Sequence, residues 1–220
     1  MIGARLEKHS TKKLQSYSYK LGKKNKMNSL FAPELCRDLI VQAFDTESKP
    51  AYGQVATIDE KGCPQVRTVH LHYSPEKEAI VFNTHVKSSK WKHLQKNPTL
   101  GGCYYDQYRD IQFRWDSKVE LLDDRKKENL PLLEKMWLRM REEVRRAYWL
   151  DAKKIPLDQK LPAGIDLQKC PSTHGIIACH PTIWNIYETN PQDYCKGTST
   201  LHELKKGQWQ SKVISILYGK

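Results

Sequence analysis

Phe82-Asn83-Thr84-His85-Val86-Lys87-Ser88-Ser89-Lys90 is the stretch on which the reading of this chain turns. It begins inside an apolar run, Ala79 to Asn83, that reads as a strand. It ends at Ser88, a favoured N-cap for a short helix with Trp91 and Leu94 as its apolar stripe and Asn97-Pro98 as its stop. A strand that runs straight into a helix N-terminus gathers unpaired backbone amides, the positive end of the helix dipole, two hydroxyls and Lys90 at one spot, and such a spot suits a phosphate. Taken alone, the same residues also read as a plain helix cap beside a solvated lysine.

Upstream, Tyr52 to Ile58 reads as a strand, Asp59 to Gly62 as a tight turn and Gln65 to Tyr73 as the antiparallel partner. Side chains alternate along that partner, so Val66, Thr68, His70 and His72 share one face, and Arg67, Val69, Leu71 and Tyr73 the other. An arginine on the same face as Val69 and Leu71 belongs at a barrel rim or beside a ligand. Placed on a strand next to Ser88 and Lys90, Arg67 is positioned to close a bidentate clamp on a phosphate. Further upstream, Pro33 stands as a first helical residue, and Leu35, Leu39, Ile40 and Phe44 recur at helical spacing over 33–45.

Downstream, strands are expected at about 99–105 and 111–122, then one long helix at 130–148 carrying Leu133, Met136, Trp137, Met140 and Val144, with Pro131 in its first turn. Residues 150–174 read as irregular, and strands at about 175–188, 199–205 and 208–215 close the chain, the last two joined at Lys206-Gly207. Many short antiparallel strands with few helices predict a mostly β protein with a small closed barrel.

The 220 residues suit one domain. The net charge of +12 is unevenly spread, because residues 1–26 hold eight basic residues against Glu7 and so carry +7 of it. This segment reads as a flexible basic arm ahead of a single domain over 27–220, with Met27 an alternative start. The modest remaining charge argues against a broad nucleic-acid face on the body, leaving the arm as the one place for such binding. Six cysteines without CxxC spacing suggest neither a zinc cage nor a disulfide framework, and no apolar run is long enough to span a membrane. No metal site and a cytoplasmic location are the expectations.

Ala56-Thr57-Ile58-Asp59, Gly62-Cys63-Pro64, Arg67-Thr68-Val69, Phe82-Asn83-Thr84, Ser88-Ser89-Lys90 and Asn97-Pro98, in that order, resemble the core of the pyridoxamine 5'-phosphate oxidase-like superfamily. The resemblance covers about 50–122 and continues faintly in Pro181 to Tyr187, Leu201-His202 and Trp209. It implies an FMN-binding split β-barrel, six-stranded and antiparallel with Greek-key order, flanked by an N-terminal helix and one long inserted helix. It further implies FMN as cofactor, with its phosphate on Arg67 and Lys90, Ser89 as a further cofactor-binding residue, and its flavin lined by Thr68, Val69, Asn83, Thr84, Gln112 and Tyr187. A homodimer with FMN at the subunit interface, acting on a small-molecule substrate, is implied as well.

The departures fall on the substrate side. His72 stands where the oxidases close the strand with Lys, Ser89 where they carry a second basic residue, and Thr200-Leu201-His202 where they carry Arg-Leu-His; a following Arg becomes Leu204. Cofactor binding is thus better kept than the vitamin pocket. A flavin-dependent oxidoreductase with an altered substrate pocket is the leading expectation, with His72 and His202 as candidates for proton transfer. A non-catalytic FMN-binding or ligand-sensing barrel and a haem-degrading relative are the alternatives.

Overall fold

The computed structural model describes residues 30–45, 49–150, 160, 161, 163–190 and 192–214. The basic segment 1–26 and Met27 lie outside the described residues.

Eight strands form one antiparallel sheet: β1 (Ala51–Ile58), β2 (Pro64–Ser74), β3 (Ala79–His85), β4 (Thr99–Asp106), β5 (Ile111–Leu122), β6 (His174–Glu188), β7 (Thr198–Lys205) and β8 (Gln208–Ile214). The order is β3-β2-β1-β4-β5-β6-β7-β8, with β3 also paired to β6. The first six strands therefore close on themselves, and β4 returns beside β1 after the β1-β2-β3 meander, which is Greek-key order. β6 is long because it serves two neighbours: residues 174–179 pair with β3, and residues 183–188 pair with β7. The barrel splits where β6 leaves β3, and β7 and β8 extend the sheet beyond it.

The helix between β3 and β4, α2 (Ser89–Lys96), sets Trp91 and Leu94 into the same apolar cluster as Val55, Leu71, Phe82, Phe113 and Trp115. An N-terminal helix, α1 (Arg37–Phe44), adds Ile40, Ala43 and Phe44. The Phe44 ring lies 5.3–6.3 Å from the rings of Tyr104, Phe113, Trp115 and Trp184. Gly102 makes room for this aromatic packing, since a Cβ there would stand 2.1 Å from the Trp115 indole. The first half of β6 is buried on both faces. Ile177 and Cys179 face the barrel cluster, while Ile176 and Ala178 join Leu132, Leu133 and Met136 of α3 (Leu130–Arg139) in a second cluster.

Two helices differ from their sequence expectation. Over 33–45 the helix starts only at Arg37, because residues 33–36 form a turn in which the Cys36 amide donates to the Pro33 carbonyl at 3.1 Å. The single long helix expected at 130–148 is broken. Met140 and Arg141 are extended (ψ 143° and 148°), separating α3 from a short α4 (Glu142–Arg146) and a 3-10 turn over Ala147–Trp149. The break has a visible cause: Arg145 is buried, donates to the Leu167 carbonyl at 2.9 Å and lies over the Trp137 ring, which folds the second segment back on the first. Helical spacing of Met140 and Val144 continues past a point where tertiary contacts override it. Lys206 and Gly207 both take positive φ (51° and 76°), as the tight hairpin between β7 and β8 requires.

Candidate functional site

A cavity of about 730 Å3, within the usual range for cofactor sites, lies where β1, β2, β3, the start of α2 and the α3–α4 break meet. The strands supply Tyr52, Arg67, Thr68, Val69, His70, His72 and Asn83, the helix Lys90, and the break Arg139, Met140 and Arg141.

Local structure puts the two key cations side by side. Arg67 donates to Thr57 Oγ1 at 2.6 Å, and Lys90 Nζ to Thr84 Oγ1 at 3.1 Å. Ser88 caps α2 by accepting from the Trp91 amide at 3.4 Å, and its hydroxyl also lies 3.1 Å from Thr84 Oγ1. The amides of Ser89 and Lys90 have no carbonyl partner in the helix, as in any first turn. Burial, and then the nearby Arg67 charge, lower the Lys90 pKa; burial lowers that of Arg67. Among the described residues no carboxylate pairs with either one. Two part-buried like charges without a carboxylate partner among the described residues are an arrangement that could hold an anion.

The histidines on the outer face of β2 make a different wall. The His70 and His72 rings are 4.1 Å apart and the Tyr52 ring lies 4.9 Å from His70. Burial, then His70 and Arg139, push His72 down to about 3, so it stays a neutral imidazole at any physiological pH. Burial, then Arg139, also lowers His70, whose buried Nε2 has no hydrogen-bond partner among the described residues.

Of the residues singled out from sequence, Arg67, Thr68, Val69, His72, Asn83 and Lys90 come together in this cavity, with Thr84 buried directly behind Lys90. Ser89 is exposed at the helix start and outside the lining. Lys87, a conceivable replacement for the missing basic residue, instead lines a neighbouring cavity with Lys92, Tyr148 and Pro171. Gln112 and Tyr187 are direct cross-strand neighbours on β5 and β6, apart from the cavity. His202 is apart too: its Nδ1 meets Ser211 Oγ at 2.7 Å and its Nε2 lies 3.7 Å from Cys36 Sγ, which ties β7 to β8 and to the start of α1. Arg139, Met140 and Arg141 escape a sequence reading, because they reach the cavity only through a helix break that periodicity does not reveal.

Among the described residues no helix is long and apolar enough to cross a membrane, and no group of three His, Cys, Asp or Glu could hold a metal ion. A closed six-stranded antiparallel barrel with few helices has the fold of FMN-binding split-barrel proteins. Residues 41–159 match the family described as pyridoxamine 5'-phosphate oxidase, and the chain belongs to that family. No curated protein matches it. Among solved structures, a pyridoxamine 5'-phosphate oxidase-related, FMN binding protein from Nostoc punctiforme superposes with a TM-score of 0.68 at 19% identity, over 82% of this chain and 96% of that one. PhzG from Burkholderia lata, solved with tetrahydrophenazine-1-carboxylic acid, gives 0.62 at 14% identity over 82% and 87%. At such identities the likeness establishes the fold.

Proposed function

We propose that the chain binds FMN and acts as a flavin-dependent oxidoreductase whose substrate pocket has diverged from that of the vitamin oxidase. One observation carries the reading: Arg67 and Lys90 converge at the N-terminus of α2 with no acidic partner among the described residues. A phosphate monoester there would receive two cationic donors and the free first-turn amides. The cavity volume, and the His70 Nε2 that has no hydrogen-bond partner among the described residues, also fit a bound heterocycle.

When bound, the flavin supplies hydride transfer, and the protein supplies placement and electrostatics. In this reading Thr68, Val69 and Asn83 line the ring system. Gln112 and Tyr187 lie apart from that cavity within one chain, so they serve the flavin by reaching the partner's site in a homodimer with FMN at the interface. His72, held neutral at the cavity wall, is the residue placed to polarise a substrate by hydrogen bonding. His202, with both ring nitrogens engaged, is assigned to holding β7. Thr200 and Leu204 offer no cation for the substrate, which is the basis for the diverged pocket.

The test is reconstitution. The chain incubated with FMN and desalted is expected to retain about one flavin per chain and to show bleaching of the flavin bands when a reduced nicotinamide is added without oxygen. Retention without reduction by any donor would leave the non-catalytic binder as the correct reading, and a haem spectrum on purification would replace both.

A further inference from the structure

Behind the cavity wall, three residues from two segments of the chain form a cluster. Cys170 Sγ lies 3.1 Å from His174 Nδ1, and His174 Nε2 lies 3.0 Å from Asn83 Oδ1. An amide oxygen only accepts, so Nε2 carries the proton and Nδ1 is left to accept the Cys170 thiol hydrogen. The His174 ring is fully buried, with the rings of Trp137 and Tyr148 at 5.4 and 5.3 Å. A thiol on an imidazole that a third group orients is the arrangement by which cysteine nucleophiles are activated. On its other side Cys170 faces a separate pocket of about 420 Å3 walled by Leu130, Leu133, Leu138 and Pro171, with Asp124 and Glu134 also lining it.

We propose that Cys170 is a covalent modification site for small, uncharged electrophiles of the α,β-unsaturated carbonyl class, with His174 as its base and Asn83 as the positioning residue. In the addition, the sulfur forms a bond to the β-carbon as the carbon–carbon π bond breaks. The thiol proton passes to His174 Nδ1 and from there to the α-carbon of the enolate. Nothing is oxidised and nothing leaves. The leucine walls favour an apolar reagent, and the carboxylates of Asp124 and Glu134 disfavour an anionic one.

The resting pair is neutral. Burial, then Glu134 and Asp124, push the Cys170 thiol up to about 12, and burial pushes His174 down to about 4. The other charged or titratable groups around the pair are Lys169 in the pocket lining, Arg145 bonded to Leu167, and Tyr148 with His85 stacked on it. The proton therefore moves as the carbon–sulfur bond forms, without a standing thiolate population. A free thiol in water, such as that of glutathione, reacts in proportion to its thiolate fraction and gains about tenfold in rate per pH unit.

The experiment treats the full chain with limiting N-ethylmaleimide at about pH 6, 7 and 8 and follows each cysteine by peptide mass mapping. Cys170 is expected to be labelled at a rate that changes less than about twofold across the series, while glutathione treated in parallel gains about tenfold per unit. Iodoacetate should label Cys63 and spare Cys170. His174→Gln should slow Cys170 labelling by about tenfold or more with Cys63 unchanged. Since His174 is fully buried and the variant can misfold, the pH series on the unsubstituted chain decides on its own. Failure of Cys170 to react in the native chain, or a rate that climbs with pH in step with glutathione, overturns the proposal.

Discussion

Replacing both Arg67 and Lys90 with alanine is expected to lower FMN affinity at least a hundredfold while leaving the ligand-free chain as stable as before, or more so. If the pair binds the phosphate as proposed, each side chain would contribute one charge-assisted contact worth roughly 1.5 to 3 kcal/mol, so either single variant should lose about ten- to a hundredfold. The two losses are coupled through one ligand and need not add. The stability half of the prediction separates a ligand site from a structural one. In the ligand-free chain the two cations are part-buried, repel each other and have no carboxylate partner among the described residues. Removing them relieves strain, whereas removing a structural ion pair would strand a charge. Fluorescence titration with FMN, alongside thermal melts without it, reads both quantities.

The chain should also lose stability steeply on mild acidification. His72 and His174 are buried and pushed down to about 3 and about 4, against about 6.5 in the unfolded chain. Below about pH 6.5 the unfolded state therefore binds protons that the folded state refuses, and stability falls as pH falls. Their contribution is fully present above pH 6.5. Between about pH 6 and pH 5 the two sites together should remove roughly 2 to 3 kcal/mol. His70 and His202, lowered by burial, act in the same direction. The carboxylates held low by hydrogen bonds, Asp59, Glu60, Glu76 and Glu203, lose their contribution only below their usual range, near pH 4. Urea midpoints should fall between pH 7 and 5, and His72→Gln should flatten the curve by about half. A midpoint constant over that interval would mean these imidazoles are not buried as described.

The barrel was legible from sequence because local signals and tertiary structure agree there. The Gly62 turn has positive φ, Ser88 caps α2 as its side-chain chemistry demands, and Lys206-Gly207 makes the final hairpin. Arg67 stands out as a charge on the same strand face as Val69 and Leu71, and in the structure it lines the cavity. The inserted helix was illegible for the opposite reason. Met140 and Val144 keep helical spacing, yet the position of the chain is decided by Arg145 reaching Leu167 and Trp137, contacts between segments that no local window contains. His202 illustrates a further limit: a histidine in a familiar motif position has its nitrogens taken by Ser211 and Cys36, partners that only folding brings near. Cys170 and Asn83, far apart in sequence, meet only through His174 for the same reason.

We propose that the cationic pair at the start of α2 holds a flavin by its phosphate. The measurement that tests it most directly compares FMN with riboflavin, which has the same ring system and no phosphate, by fluorescence titration of one preparation. FMN is expected to bind at least a hundredfold more tightly, since riboflavin forgoes the contacts to Arg67, Lys90 and the first-turn amides. Equal affinity for the two, or no binding of either, would contradict the assignment.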